Sequence, residues 1–178
     1  RVCADVGAST GGFTDCLLQH GAAKVYTIDV GKGILHWKMR RNPQVVVMES
    51  TNARYLESLP EPVSFLTIDV SFISLKLLLP VVRGWGGEGE AVILIKPQFE
   101  AGRREAARGK GIIRNPAIHQ RVLEEVLMCA QEQGFRLQGL IQSPITGPKG
   151  NIEFLAWLAW PCDGEIVDLE PFLSPLFS

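Results

Sequence analysis

The stretch Asp5-Val6-Gly7-Ala8-Ser9-Thr10-Gly11-Gly12-Phe13-Thr14 decides the fold. It follows the apolar run Val2-Cys3-Ala4 and leads into an amphipathic segment. A strand over residues 2–6 therefore runs into a glycine-rich turn and then into a helix over 11–19, which Gly21 ends. Such a start opens an α/β domain whose ligand lies beyond the carboxyl ends of the strands.

Outward from this unit, apolar runs alternate with amphipathic ones, the mark of repeated βαβ units. Strands are expected over residues 24–30, 45–48, 63–70 and 91–96. A helix is expected over 74–82, bent or ended by Pro80. Residues 97–115 carry no apolar period and read as a loop long enough to suspect function. Asn115-Pro116 starts a helix to Gln133, with Val122, Leu123, Val126, Leu127 and Ala130 as its apolar stripe and Gly134 as its stop. Residues 136–143 and 152–160 read as a final strand pair joined by 144–151. The proline-containing, acidic tail, 161–178, receives no element. The expected fold is α/β and Rossmann-like: a seven-stranded, mostly parallel sheet with one antiparallel strand and helices on both faces. Class I methyltransferases have this layout.

The bulk properties agree with one domain. The chain has 178 residues, of which 46% are hydrophobic, enough for a core. Its mean hydropathy is +0.12, and no apolar run reaches the roughly 18 residues of a membrane span. No signal peptide is visible, so a cytoplasmic location and no membrane partner are expected. The net charge of −1 does not by itself argue for nucleic acid, so such contact must come from a local patch or a further segment. The four cysteines (Cys3, Cys16, Cys129 and Cys162) form no Cys-x-x-Cys pair, and no histidine stands at ligand spacing. They read as buried thiols, with neither a metal site nor a disulfide. Arg1 already precedes a strand directly, and an upstream segment is expected to be missing.

The turn also names its ligand. Gly7, Gly11 and Gly12 let the backbone approach a bound molecule. Their Gly-x-x-x-Gly-Gly spacing is neither the Gly-x-Gly-x-x-Gly of a pyrophosphate site nor a P-loop. With Asp5 ahead of the glycines, the turn suits a zwitterionic, cationic ligand, and S-adenosylmethionine (SAM) fits. Asp5, Gly7, Ala8, Ser9, Thr10, Gly11, Gly12 and Phe13 are the candidate cofactor contacts here. Asp29, at the end of the second strand beside Val30, can accept from both ribose hydroxyls. Thr51-Asn52 can reach the adenine edge. At the same sheet edge Asp69 ends the fourth strand, Lys96 ends the fifth and Glu153 begins the last. A lysine at a buried strand end, after Ile93-Leu94-Ile95, is rare without a partner. These three are the candidate catalytic residues, Asp69 counting with the cofactor contacts as well. Arg103, Arg104, Arg108, Lys110 and Arg114 crowd the following loop, with Glu105 as the only acid among them, and are candidate phosphate contacts.

Five motifs carry a family resemblance over residues 2–160. They are the opening turn, Asp29-Val30-Gly31, Asp69-Val70-Ser71-Phe72-Ile73-Ser74-Leu75, Ile95-Lys96-Pro97-Gln98-Phe99-Glu100 and Gly147-Pro148-Lys149-Gly150-Asn151-Ile152-Glu153-Phe154. The chain resembles the TlyA family, often labelled hemolysin A, among the FtsJ-like ribose methyltransferases. The resemblance implies SAM-dependent 2′-O-methylation of ribosomal RNA, at cytidine in the best-known members, with ribosomal RNA or ribosomal subunits as partners. It implies a Lys-Asp-Lys-Glu tetrad in which Asp69, Lys96 and Glu153 match the last three members. The first lysine would lie upstream of Arg1, as would a small RNA-binding domain that relatives carry. Both are expected to be absent, which would leave this chain a poor catalyst. Residues 1–160 are then the FtsJ-like domain and 161–178 a tail. A small-molecule methyltransferase would need an apolar cover over its pocket, a pore-forming hemolysin a membrane element and export signal, and an oxidoreductase a different glycine spacing; none of these is visible.

Overall fold

The computed structural model describes residues 1–162, 164 and 166–177, and of Arg103 only the backbone. The strands are β1 (Val2–Val6), β2 (Lys24–Ile28), β3 (Val45–Met48), β4 (Phe65–Ile68), β5 (Gly89–Ile95), β6 (Arg136–Gln142) and β7 (Phe154–Trp160). They form one sheet in the order β3-β2-β1-β4-β5-β7-β6. Pairing is parallel from β3 through β5, and only β7 runs antiparallel to both of its neighbours. This is the expected class I methyltransferase topology.

The helices are α1 (Gly12–Gln19), α2 (Trp37–Arg40), α3 (Leu75–Arg83), α4 (Pro97–Glu100), α5 (Arg103–Arg108), α6 (Pro116–Glu132) and α7 (Glu170–Phe177). The main core lies between the sheet and α3, α6 and α7. There Leu78, Leu79 and Val82 of α3 and Leu123, Val126 and Leu127 of α6 meet Ile68, Ile93 and Ile95. A second cluster, Cys3, Ala22 and Val25 with Leu17 and Leu18, seals α1 against the sheet. The two clusters are separate, so helices cover the sheet from both faces. Among the described residues no helix is long and apolar enough to cross a membrane.

Several elements differ from expectation. The strands expected over 24–30 and 63–70 are shorter, which places Asp29 and Asp69 just beyond β2 and β4, at the edge where a ligand would lie. The expected loop 97–115 contains α4 and α5. Arg103-Arg-Glu-Ala-Ala-Arg is rich in good helix formers, but six residues are too few to display an apolar period. Pro80 sits inside α3 without ending it. The carbonyl it leaves without a helical partner, Lys76 O, has the Cys129 thiol at 4.0 Å instead. The tail holds α7, masked in sequence by Pro171 and Pro175; Leu173 is buried, and Phe177 reaches Phe154 with ring centroids 6.2 Å apart. Asp163, Glu165 and Ser178 of that tail lie outside the described residues. Cys16 is exposed on the outer face of α1, not buried, with its sulfur 3.8 Å from His20 Nδ1 one turn on.

Candidate active site

Strand register brings the site together. Val6 pairs with Ile28 and with Ile68, and Ile68 with Ile93. The residues that follow β1, β2, β4 and β5 therefore emerge at one edge. Ile95 pairs with Phe154 across the antiparallel step, so Lys96 and Glu153 flank the same point from opposite chain directions.

The glycine turn is held by backbone bonds. Gly7 N and Ala8 N both donate to Ile28 O, at 2.8 and 3.3 Å. Gly7 has φ of 82°, and a Cβ there would stand 2.2 Å from Asp69 O, so only glycine lets β1 leave the sheet against the exit of β4. Ser9 N donates to Asp29 Oδ2 at 2.8 Å and Gly31 N to Oδ1 at 2.7 Å. Asp29 thus ties the first turn to the second. An ionised carboxylate accepts about four hydrogen bonds, which leaves capacity for a ligand.

A cavity of about 430 Å³ opens at this edge, within the size range of small-molecule sites. Gly7, Ser9, Asp29, Val30, Thr51, Asn52 and Asp69 line it among the expected contacts, joined by Ile34, Val70 and Phe72. Ala8, Thr10, Gly11, Gly12 and Phe13 do not line it; Gly11 packs instead toward Leu35 and Met39. Asp5 is fully buried beneath the turn. Its oxygens accept from Thr14 Oγ1 at 2.6 Å and Thr67 Oγ1 at 2.9 Å, and burial pushes its carboxyl above the usual range while the two hydroxyls pull it down. It braces the turn and does not face the cavity. Asn52 has two roles: it lines the cavity, and its Oδ1 accepts from Arg54 N at 3.1 Å to cap a short 3₁₀ turn, Ala53–Tyr55.

Beside the cavity, Lys96 Nζ lies 2.5 Å from Asp69 Oδ1, with the lysine side chain 12% exposed. The contact is an ion pair off the line of a hydrogen bond, since Oδ1 has no aligned donor. Nζ also reaches Ser71 Oγ at 3.3 Å and stands 6.0 Å from the centre of the Phe99 ring. Glu153 is buried one step before β7 and accepts from Gln98 Nε2 at 2.7 Å. Glu100 accepts from Leu75 N at 2.7 Å and Ser74 Oγ at 2.5 Å, pinning the 69–75 loop to α4. Burial pushes the Glu100 carboxyl up.

One aromatic stands apart. Phe72 has φ of 66°, rare for a bulky residue and costly by about 1–3 kcal/mol, yet it is 90% exposed. Its ring centroid lies 4.9 Å from that of Phe99. Sequence reasoning passed it over; the available signal was a lone aromatic between serines immediately after a strand.

The basic segment is exposed at Arg104, Arg108, Lys110 and Arg114, and none of these is ion-paired among the described residues. The side chain of Arg103 lies outside those residues. The local acid, Glu105, is taken by Arg121. Lys149, which was not expected in this group, adds its ammonium, 3.6 Å from where a Cβ on Gly111 would stand. Asn151 joins the two segments. Its Nδ2 donates to Gly111 O and its Oδ1 accepts from Ile113 N, both at 2.9 Å.

The FtsJ-like methyltransferase family matches residues 1–160. The chain belongs to that family. This FtsJ-like chain is 49% identical over 172 residues to a candidate rRNA methyltransferase, YqxC, of Bacillus subtilis, an overlap of 93% of this chain and 60% of that one. It is 44% identical over 166 residues to the 16S/23S rRNA (cytidine-2′-O)-methyltransferase TlyA of Mycobacterium tuberculosis, covering 92% of this chain and 62% of that protein. The FtsJ-like chain thus spans about three fifths of the length of these curated relatives. Among solved structures, a candidate hemolysin from Lactococcus lactis aligns with a TM-score of 0.91 and 46% identity over 100% of this chain and 88% of that one.

Proposed function

We propose that residues 1–160 form the catalytic domain of a SAM-dependent 2′-O-ribose methyltransferase that acts on ribosomal RNA, at cytidine as the name of the Mycobacterium relative states. The observation that carries this reading is the largely buried Lys96 ammonium, paired with Asp69 at the mouth of the cavity. SAM supplies an electrophilic methyl group on its sulfonium. The residues present fit it: Asp29 has acceptor capacity for two ribose hydroxyls, Ile34 and Val70 offer apolar walls to a flat base, and the Gly7 turn lets the ligand come close to the backbone.

A ribose hydroxyl that accepts a methyl must be aligned with the transferring group and must give up its proton. Lys96 Nζ can take that proton only as the neutral amine, after giving one of its own protons to solvent; it then becomes the ammonium that pairs with Asp69. Asp69 holds the ammonium at the cavity mouth, and Glu153 supplies a second carboxylate from the opposite strand. Arg104, Arg108, Lys110 and Arg114, with Lys149 near Gly111, hold RNA phosphates, a surface a small metabolite would not need.

A titration with SAM and with NAD separates the cofactor classes: SAM is expected to bind, and NAD binding of equal tightness would sink the assignment. Asp29→Ala removes a charged acceptor and loosens the turn. It is expected to weaken SAM by about 2–4 kcal/mol, roughly 30- to 1,000-fold, read by calorimetry.

Phe72 offers its ring face to an unstacked base beside the cavity. Base–aromatic stacking contributes about 1–3 kcal/mol, so Phe72→Ala is expected to raise the RNA KM roughly 5- to 150-fold, with Phe72→Trp close to wild type. An RNA KM that did not change in Phe72→Ala would remove the ring from the interface.

A further inference from the structure

Glu153 is a buried carboxylate, 7% exposed. A buried charge is costly without partners, yet among the described residues its carboxylate takes one side-chain hydrogen bond, from Gln98 Nε2 at 2.7 Å. Gly147 crowds the same oxygen, since a Cβ there would stand 2.6 Å from Glu153 Oε1. Glu153 Oε1 is therefore held between the Gln98 amide and the bare backbone of Gly147.

The orientation of that amide is forced. Turned over, Gln98 would set its own oxygen against a carboxylate oxygen, acceptor against acceptor. Held as it is, Oε1 is buried with no partner. Buried amides that serve only packing have both ends satisfied in the large majority of structures. An end left unmet at the border of a reactive cluster points to a function for the end that is engaged. Gln98 also stands two residues after Lys96, at the start of α4. The backbone that carries the lysine thus carries the group that orients the glutamate.

We infer that Gln98 is a positioning residue, one that sets the Glu153 carboxylate for methyl transfer through the hydrogen bond from Nε2. This rests on the reading of Glu153 as part of the reactive cluster. Gln98 touches neither cofactor nor acceptor and acts through Glu153.

The test measures transfer of tritiated methyl from SAM to ribosomal RNA for wild type, Gln98→Met, Gln98→Glu, Glu153→Gln and the double variant Gln98→Met/Glu153→Gln. Gln98→Met keeps the bulk and loses the donor. It is expected to lower kcat about 10- to 100-fold, the scale of a misplaced reacting group, with the KM for SAM unchanged. The double variant is expected to be no slower than Glu153→Gln alone, since a residue acting through another adds nothing once that other is gone. Gln98→Glu sets two carboxyls side by side, where they share one proton. Its rate is expected to stand near wild type at low pH, where the shared proton restores a donor, and to fall as pH rises and that proton leaves. A residue of merely structural importance would lower the melting temperature without introducing this pH dependence. If Glu153→Gln were slow while Gln98→Met and Gln98→Glu kept the wild-type rate and pH profile, the inference about Gln98 would fall alone. If Glu153→Gln itself kept full rate, the assignment of Glu153 would fall and the inference with it.

Discussion

Lys96→Met is expected to cut methyl transfer to ribosomal RNA by about 10²- to 10⁴-fold, the range ascribed to a positioned proton-transfer group, while SAM still binds. Methionine keeps an aliphatic stem of similar length and removes the amine with its charge. The substitution breaks the 2.5 Å pair with Asp69, and a partner charge left alone in a partly buried place costs stability. A melting curve must therefore accompany the rate. Asp69→Asn with Lys96→Met restores neutrality without restoring the amine, and it should melt near wild type and remain slow. Methylation at the wild-type rate in Lys96→Met, with the protein folded, would overturn the mechanism.

Gly7→Ala is expected to have the largest effect on the cofactor site itself. The methyl group would enter within 2.2 Å of a backbone oxygen that cannot swing aside, at a φ of 82°. The β1 and β4 exits must part, and with them the cavity walls at Gly7 and Asp69. A loss of about 3 kcal/mol is expected, a fall in Tm of roughly 6–12 °C for a domain of this size, together with loss of measurable SAM binding. Gly12→Ala is the matched control. It lies in the same motif with ordinary φ and open space around the added carbon, so its stability should be unchanged or raised by about 0.4–1 kcal/mol. Equal behaviour of the two variants would refute the steric account.

The parallel sheet was legible because buried strands such as Ala91-Val92-Ile93-Leu94-Ile95 read as continuous apolar runs, each with helix signals after it. The expected seven strands are present, mostly parallel, with one antiparallel strand, β7. What escaped lies where length or proline conceals period: α4 and α5 are too short to show a face, and α7 contains Pro175. The cavity was legible at Asp29, Asn52 and Asp69, because residues that end parallel strands share an edge. Asp5 was misplaced for the same reason it is buried. A strand alternates faces, so a carboxylate two residues before the turn faces inward to Thr14 and Thr67. Gln98, Phe72 and Asn151 were missed because each matters through a contact distant in sequence or through a backbone angle, and single-sequence patterns carry neither.

The clasp at Asn151 has a consequence for protein engineering. The basic segment and the turn that leads to Glu153 are separate in the chain, but one side chain of that turn binds two backbone groups of the former. Neither loop can then change length on its own, because an inserted residue on either side would pull both hydrogen bonds out of register. A designer who moves the arginine-bearing segment onto another sheet, to redirect it to a different RNA, must move Asn151 and its preceding turn as part of the same cassette.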